Sequence, residues 1–343
     1  MLDSRQRRLY NHTNRSLTSP HNRHQTASER VRFVDSTAQM TLKPRIRQAL
    51  TTRQFAQSLG VSESSVKRWI DDGTIDADRT AGGHRRIPMA SAVRFMRLHR
   101  MSPQHPEVLP LTAAPSLGSV DVHAADEFYE AFVADDAVRV RAIMTGRYMS
   151  GADIASIGDG LVRPVLERLG ELWRHDPQGI LVEHRAVETC IRALTELVAW
   201  LPPIPPGAPT SVTAAGPDDP YLLAPMLATM VLQEQGIHVR NLGPSTPLET
   251  IELATVRYGA IMCSVSVGTT QARPCHAAWI RLADRLGANQ IKLIVGGRGV
   301  GSLPKEFLGR ARVCGSMIEL GSYTAGVVGG VNSARELRDG VDP

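Results

Sequence analysis

A chain of 343 residues, 42% of them apolar, is long enough for two or three domains, each with its own core. No apolar run reaches the roughly 18 residues that a membrane-spanning helix needs. The polar start Met1-Leu2-Asp3-Ser4-Arg5 has no signal-peptide core, and Cys190, Cys263, Cys275 and Cys314 form no CxxC pair. A cytoplasmic protein with reduced thiols and no membrane partner is expected, and neither a zinc knuckle nor a disulfide framework is suggested.

The net charge of +5 is unevenly spread. Residues 1–103 hold 19 Lys and Arg against 8 Asp and Glu, whereas the remainder holds 20 against 26. Basic charge collected at one end suits contact with phosphate, and an acidic remainder suits a half that stays off nucleic acid.

Residues 1–40 are rich in Arg, His, Asn, Ser and Thr and lack any apolar period, which predicts a disordered basic arm. A compact domain is expected over 41–100. In it, Thr51-Thr52-Arg53-Gln54 offers a capping box for a first helix running through Leu59. Gly60 then supplies a turn, Ser62 caps a second helix, and Gly73 ends it. Phe55, Ala56, Leu59, Val61, Val66, Trp69 and Ile70 fall on the inner face and leave Ser64, Ser65, Lys67 and Arg68 outside. That is helix-turn-helix geometry, with Thr52 and Arg53 at the start of the first helix.

The following segment, Arg79-Thr80-Ala81-Gly82-Gly83-His84-Arg85-Arg86-Ile87, has paired glycines for a tight turn between two short strands. It resembles the wing of MerR-type and excisionase-like winged helix proteins, and the resemblance covers Leu50 to Met96. It implies operator DNA as partner, with Thr80, His84, Arg85 and Arg86 reaching phosphate or a minor groove.

A Pro-containing stretch over 101–119 reads as a linker. Residues 120–201 are helical throughout, broken only at Gly151, Pro177 and Gly179, which predicts a bundle. Pro202-Pro203-Ile204-Pro205-Pro206-Gly207 ends it, because proline removes donors and enforces extended backbone. In 210–343 strands alternate with helices at 211–215, 238–242, 260–265, 291–295 and 312–315, the pattern of a doubly wound parallel, flavodoxin-like sheet. The fold class is thus multidomain α and α/β.

Trp173 precedes Glu183 and His184 by ten and eleven residues. An indole can cover an apolar tetrapyrrole face, and a neutral imidazole can bind a borderline transition metal. The trio and the strands after it resemble the cobalamin-binding module of light-responsive, MerR-type repressors of carotenoid synthesis. The same stretch resembles the corrinoid modules of methionine synthase and methyltransferases. This resemblance covers Leu161 to Gly329. It implies adenosylcobalamin as cofactor, Trp173 over its upper face, Glu183 against the adenosyl group, and His184 as upper axial cobalt ligand after photolysis. It further implies self-association to a dimer or tetramer that changes with light.

One family signature departs. Where those modules carry D/E-x-H-x-x-G, this chain has Asp219-Pro220-Tyr221-Leu222-Leu223-Ala224, with Tyr221 and Ala224 in the His and Gly positions. A phenol, whose ordinary pKa is about 10, is a poor cobalt ligand at neutral pH. Any metal bond from the protein is therefore expected through His184. Ser264 and Ser266 match the family's S-x-L or S-x-T element, and Gly296-Gly297 its paired glycines.

Two further readings stay open. Haem or a linear tetrapyrrole suits Tyr221 and the thiols better than cobalt does. A cofactor-free regulator would use the module for oligomerisation or for an antirepressor protein. A corrinoid-dependent enzyme subunit is the third class, but the lower His and a substrate barrel are missing, as are a P-loop, HExxH and an ordered Ser-His-Asp. No catalytic residue is assigned.

Overall fold

The computed structural model describes residues 49–111, 124–172, 177–268 and 276–339. The expected basic arm, Trp173, Cys275 and part of the expected linker lie outside these.

A short strand β1 (Ala49–Thr51) leads into helices α1 (Thr52–Leu59) and α2 (Glu63–Asp71). Strands β2 (Asp78–Arg79) and β3 (Arg85–Pro88) follow, then helix α3 (Met89–Leu98). β3 pairs antiparallel with both other strands, so the sheet order is β1-β3-β2 and the wing is the β2–β3 hairpin. Local chemistry sets the helix ends. Thr51 and Gln54 form the reciprocal capping box, Ser62 accepts from the Ser65 amide, and Gly60 turns the chain at φ 66°. Leu50, Phe55, Val66, Ile87 and Phe95 are buried between these elements.

The expected linker does not leave this domain at once. Gln104 and His105 donate their amides to the Ser58 carbonyl, and Leu109 is buried, so the chain up to Leu111 packs back against α1.

The bundle comprises α4 (Ala124–Val133), α5 (Ala137–Met149), α6 (Ile154–Ile157), α7 (Arg163–Leu172) and α8 (Pro177–Val198). A π-type turn, Gly158–Val162, joins α6 to α7. Pro177 and Gly179, expected as breaks, instead fall in the first turn of α8, where proline loses nothing because its N–H would have no intrahelical partner.

The parallel sheet is built from β4 (Thr210–Ala215), β5 (His238–Asn241), β6 (Met262–Ser266), β7 (Lys292–Gly296) and β8 (Arg312–Val313). The helices between and after them are α9 (Leu223–Glu234), α10 (Leu248–Arg257), α11 (His276–Ala288), α12 (Lys305–Leu308) and α13 (Met317–Asp339). The order β5-β4-β6-β7-β8 is doubly wound, with its switch point between β4 and β6. Alternation along the strands feeds two cores. Val212, Cys263, Val265 and Val295 pack toward α10 and α11, while Met262 and Ile294 pack toward α9 and α13.

A third apolar cluster is continuous across the winged helix, the bundle and α9, running from Phe55 and Phe95 through Tyr148 and Trp200 to Val231. No described helix is long and apolar enough to cross a membrane.

Candidate functional site

Two places on the molecule carry recognisable chemistry. The first is the outer face of the winged helix. Ser64, Lys67, Arg68, Arg53, Thr80 and His84 are exposed there, and Ser65 and Arg86 are half-buried. Lys67 pairs with Glu63 at 3.1 Å, one helical turn back. Gly83 at φ 78° closes the wing turn, and the Thr80 hydroxyl accepts from the His84 amide at 3.1 Å, holding the tip.

Two expected DNA contacts turn inward. Thr52 is buried and its hydroxyl donates to Glu63 at 2.8 Å, tying α1 to α2. This bond, with the Lys67 neighbour, holds the Glu63 carboxyl below its ordinary range. Arg85 donates to the Asp71 carboxylate at 2.5 Å and to the Lys67 carbonyl at 3.1 Å, so it braces the wing against the recognition helix.

The second place is a cavity of about 470 Å³ between the bundle and the carboxyl edge of the sheet. That is within the range of small-molecule sites, and the carboxyl edge of a doubly wound sheet is where such folds take ligands. Glu183 and Val187 of α8 line it from above, Tyr221 and Ala224 stand at the entry to α9, and Ser264, Ser266 and Gly296 line the sheet edge.

Of Glu183 and His184, only Glu183 lines the cavity. Neighbours on an α-helix point about 100° apart, so the turn that brings Glu183 and Val187 into the wall carries His184 off it. The His184 side chain is 73% exposed, with Nδ1 2.9 Å from the Ile180 carbonyl oxygen and 3.1 Å from Glu183.

Asp219 is fully buried and accepts backbone N–H bonds from Gly268 and from Tyr221, which fold the loop after β4 onto the loop after β6. Tyr221 is 44% exposed and its ring packs against Gly268. The paired glycines are demanded by packing. A Cβ on Gly296 would lie 2.6 Å from the Cys314 carbonyl oxygen, and one on Gly297, at φ 108°, 2.5 Å from that of Val267.

The Ser266 hydroxyl is different: it is buried and has no hydrogen-bond partner among the described residues. A buried hydroxyl without a partner is costly, and at a cavity wall it is a group waiting for one. Burial pushes the Cys190 and Cys263 thiols up to about 12, so they stay protonated and inert. No cluster of metal-ligating side chains is present among the described residues.

For a corrinoid or related tetrapyrrole the fit is divided. Ser264 and Ser266, with the small residues Ala224, Ala228 and Gly296, line the cavity along the sheet, and these are residue types that would leave room for a slender polar group. No histidine is among the described residues that line the cavity, and Tyr221 is one of those that do.

The winged helix, joined here to a helical bundle and a parallel sheet, is a DNA-binding domain of the helix-turn-helix class. Residues 49–97 match the family model described as a helix-turn-helix domain. No curated protein matches the chain. Among solved structures the chain is similar to the monomethylamine corrinoid protein of Methanosarcina barkeri, at 16% identity and TM-score 0.47 over 60% of this chain and 98% of that one. It is similar to the methanol:cobalamin methyltransferase complex of the same organism, at 18% identity and TM-score 0.32 over 66% and 87%. A cobalamin-binding protein of Desulfitobacterium hafniense gives 16% identity and TM-score 0.30 over 60% and 98%.

Proposed function

We propose that the chain is a transcriptional repressor whose winged helix reads operator DNA and whose bundle-and-sheet half senses a cobalamin-type tetrapyrrole in the sheet-edge cavity. The observation that carries this reading is the unpartnered Ser266 hydroxyl in a cavity at the switch-point edge of the sheet, under the Glu183 carboxylate. Ser264, Ser266 and the backbone at Gly296 would hold a polar tail, and Glu183 would face the group above it. A bound corrinoid would supply a light-sensitive cobalt–carbon bond. The chain's own part is to orient the group, exclude water and pass its state to the DNA reader, alone or in a dimer or tetramer.

The experiment is an absorption spectrum of the purified protein with aquo-, methyl- and adenosylcobalamin, in darkness and after green light, for wild type, His184→Ala and Tyr221→His. Tight uptake and a light-dependent change in wild type support the reading, and a wild-type protein that ignores all three refutes it. A haem-type or linear-tetrapyrrole spectrum carried through purification, in place of a corrinoid one, would identify that group instead.

A second reading has its own observations. Asp219 is satisfied by backbone alone, His184 faces solvent, and Gly296-Gly297 are required by packing without any ligand. These suit a cofactor-free module that docks an antirepressor or another copy of the chain. On this reading His184→Ala leaves DNA binding unchanged in light and dark.

A further inference from the structure

Arg97 adds a set of polar contacts between the winged helix and the regulatory half beside the apolar cluster that joins them. Arg97, in the last turn of α3, donates from Nη1 to the carbonyls of Tyr148 and of Ala152, the latter at 2.7 Å. Its Nη2 lies 3.1 Å from Oε1 of Glu234, and its guanidinium stacks 3.9 Å over the Tyr148 ring. The other Glu234 oxygen accepts the Ile154 amide at 2.8 Å. The two side chains are only 20% and 15% exposed, so each charge depends on the other. Three bodies meet here: α3 of the DNA reader, the α5–α6 corner of the bundle, and the last residue of α9.

α9 also reaches the other site. Its first turns supply Leu223, Ala224, Leu227 and Ala228 to the sheet-edge cavity, and its final residue is Glu234. At 1.5 Å per residue its two ends are about 17 Å apart, joined by continuous backbone hydrogen bonds. Gln235, the next residue, donates to the Gly321 carbonyl at 2.8 Å and accepts from Thr324, which fixes this end of α9 to α13. Beside the arginine the interface is open, with a cavity of about 860 Å³ bordered by Phe95, Arg97, Tyr148, Trp200 and Glu234. At this edge polar pins supplement the apolar cluster formed by Phe95, Tyr148, Trp200 and Val231.

We propose that the Arg97–Glu234 pair is the latch that docks the winged helix on the regulatory half, and that α9 is the rod by which the state of the sheet-edge cavity reaches that latch. Anything that shifts the start of α9 displaces the Glu234 carboxylate and frees α3. The proposal requires no particular ligand, so it stands or falls apart from the tetrapyrrole reading.

The test is amide hydrogen exchange on the full chain. Arg97→Met and Glu234→Met should each raise exchange in the last turn of α3 and at Ile154 by about tenfold or more, with β4 and β6 still protected. The double variant should raise exchange by less than the product of the two singles, because both changes remove the shared Arg97–Glu234 interaction. Ala224→Trp, which fills the cavity end of α9, should raise exchange at the same amides in the wild-type background and not in Arg97→Met. Leu227→Phe serves if Ala224→Trp loses protection in β4. Multiplicative single effects overturn the latch, and cavity variants whose effects stop short of Ile154 overturn the rod.

Discussion

The guanidinium of Arg85 reaches from the wing to the carboxylate of Asp71 at the end of the recognition helix, 2.5 Å away. A second bond to the Lys67 carbonyl at 3.1 Å completes the brace. Arg86, its neighbour, has no side-chain partner among the described residues. Adjacent residues of a strand point to opposite faces, so Arg85 turns to the recognition helix and Arg86 away from it. Arg86→Ala and Arg68→Ala should therefore lower the dependence of DNA affinity on salt, each by a slope of about 0.9. Arg85→Ala should weaken binding with the slope unchanged, because what it loses is the pose of the wing. Affinity titrations over a salt series measure both quantities.

Ser266 predicts opposite effects on stability and on uptake. Its hydroxyl is buried without a partner, so Ser266→Ala should raise the stability of the ligand-free protein by about 1 kcal/mol. The same change should weaken uptake of any group that bonds to that hydroxyl. Thermal melts with and without adenosylcobalamin measure the two effects. A melting point lowered by Ser266→Ala would show that the hydroxyl already has a partner.

How much of the molecule is legible in its residues depends on distance along the chain. The capping box at Thr51 and Gln54, the Ser62 cap and the Gly60 turn are interactions over three or four positions, and they form as spelled. Of the five strands of the parallel sheet, β6 and β7 stand out by their apolar residues, whereas the edge strands β5 (His-Val-Arg-Asn) and β8 (Arg-Val) are mostly polar and are placed by the alternation of strands and helices. Arg85 is legible as a basic wing residue but not as a brace, since Asp71 lies fourteen positions back. Glu234 looks in sequence like a solvated helix end, and only the fold brings Arg97, 137 positions away, against it. Glu183 and His184 are adjacent and 3.1 Å apart, yet only Glu183 lines the cavity. Neighbours on a helix do not share a face, and Val187, one turn on from Glu183, is the better companion.

Glycines 296 and 297 should prove indispensable even where no ligand is bound. Gly297→Ala places a Cβ 2.5 Å from the Val267 carbonyl oxygen on a backbone at φ 108°, and should cost about 2 to 4 kcal/mol. Gly301→Ala meets nothing within 4 Å and should be near neutral. Urea unfolding of the two variants compares them directly. A harmless Gly297→Ala would mean that the β6 and β7 loops are looser than their packing implies.

The charge on Glu234 sets a pH dependence with a definite sign. Burial raises its carboxyl above the ordinary value of 4.5, against the lowering effects of the Ile154 amide, Arg97 and Tyr148 and with the help of Asp153. The folded protein therefore binds this proton more tightly than the unfolded chain does. Through this group, stability is fully present below 4.5 and is lost as pH rises through the raised native value. Glu234→Gln removes the dependence while keeping shape and one acceptor for the Ile154 amide. The melting temperature of wild type minus that of Glu234→Gln should therefore increase as pH is lowered from neutral toward 4.5. If the difference falls instead, Arg97 outweighs burial at this site. The latch would then open as the carboxylate is protonated, and acid would loosen the winged helix.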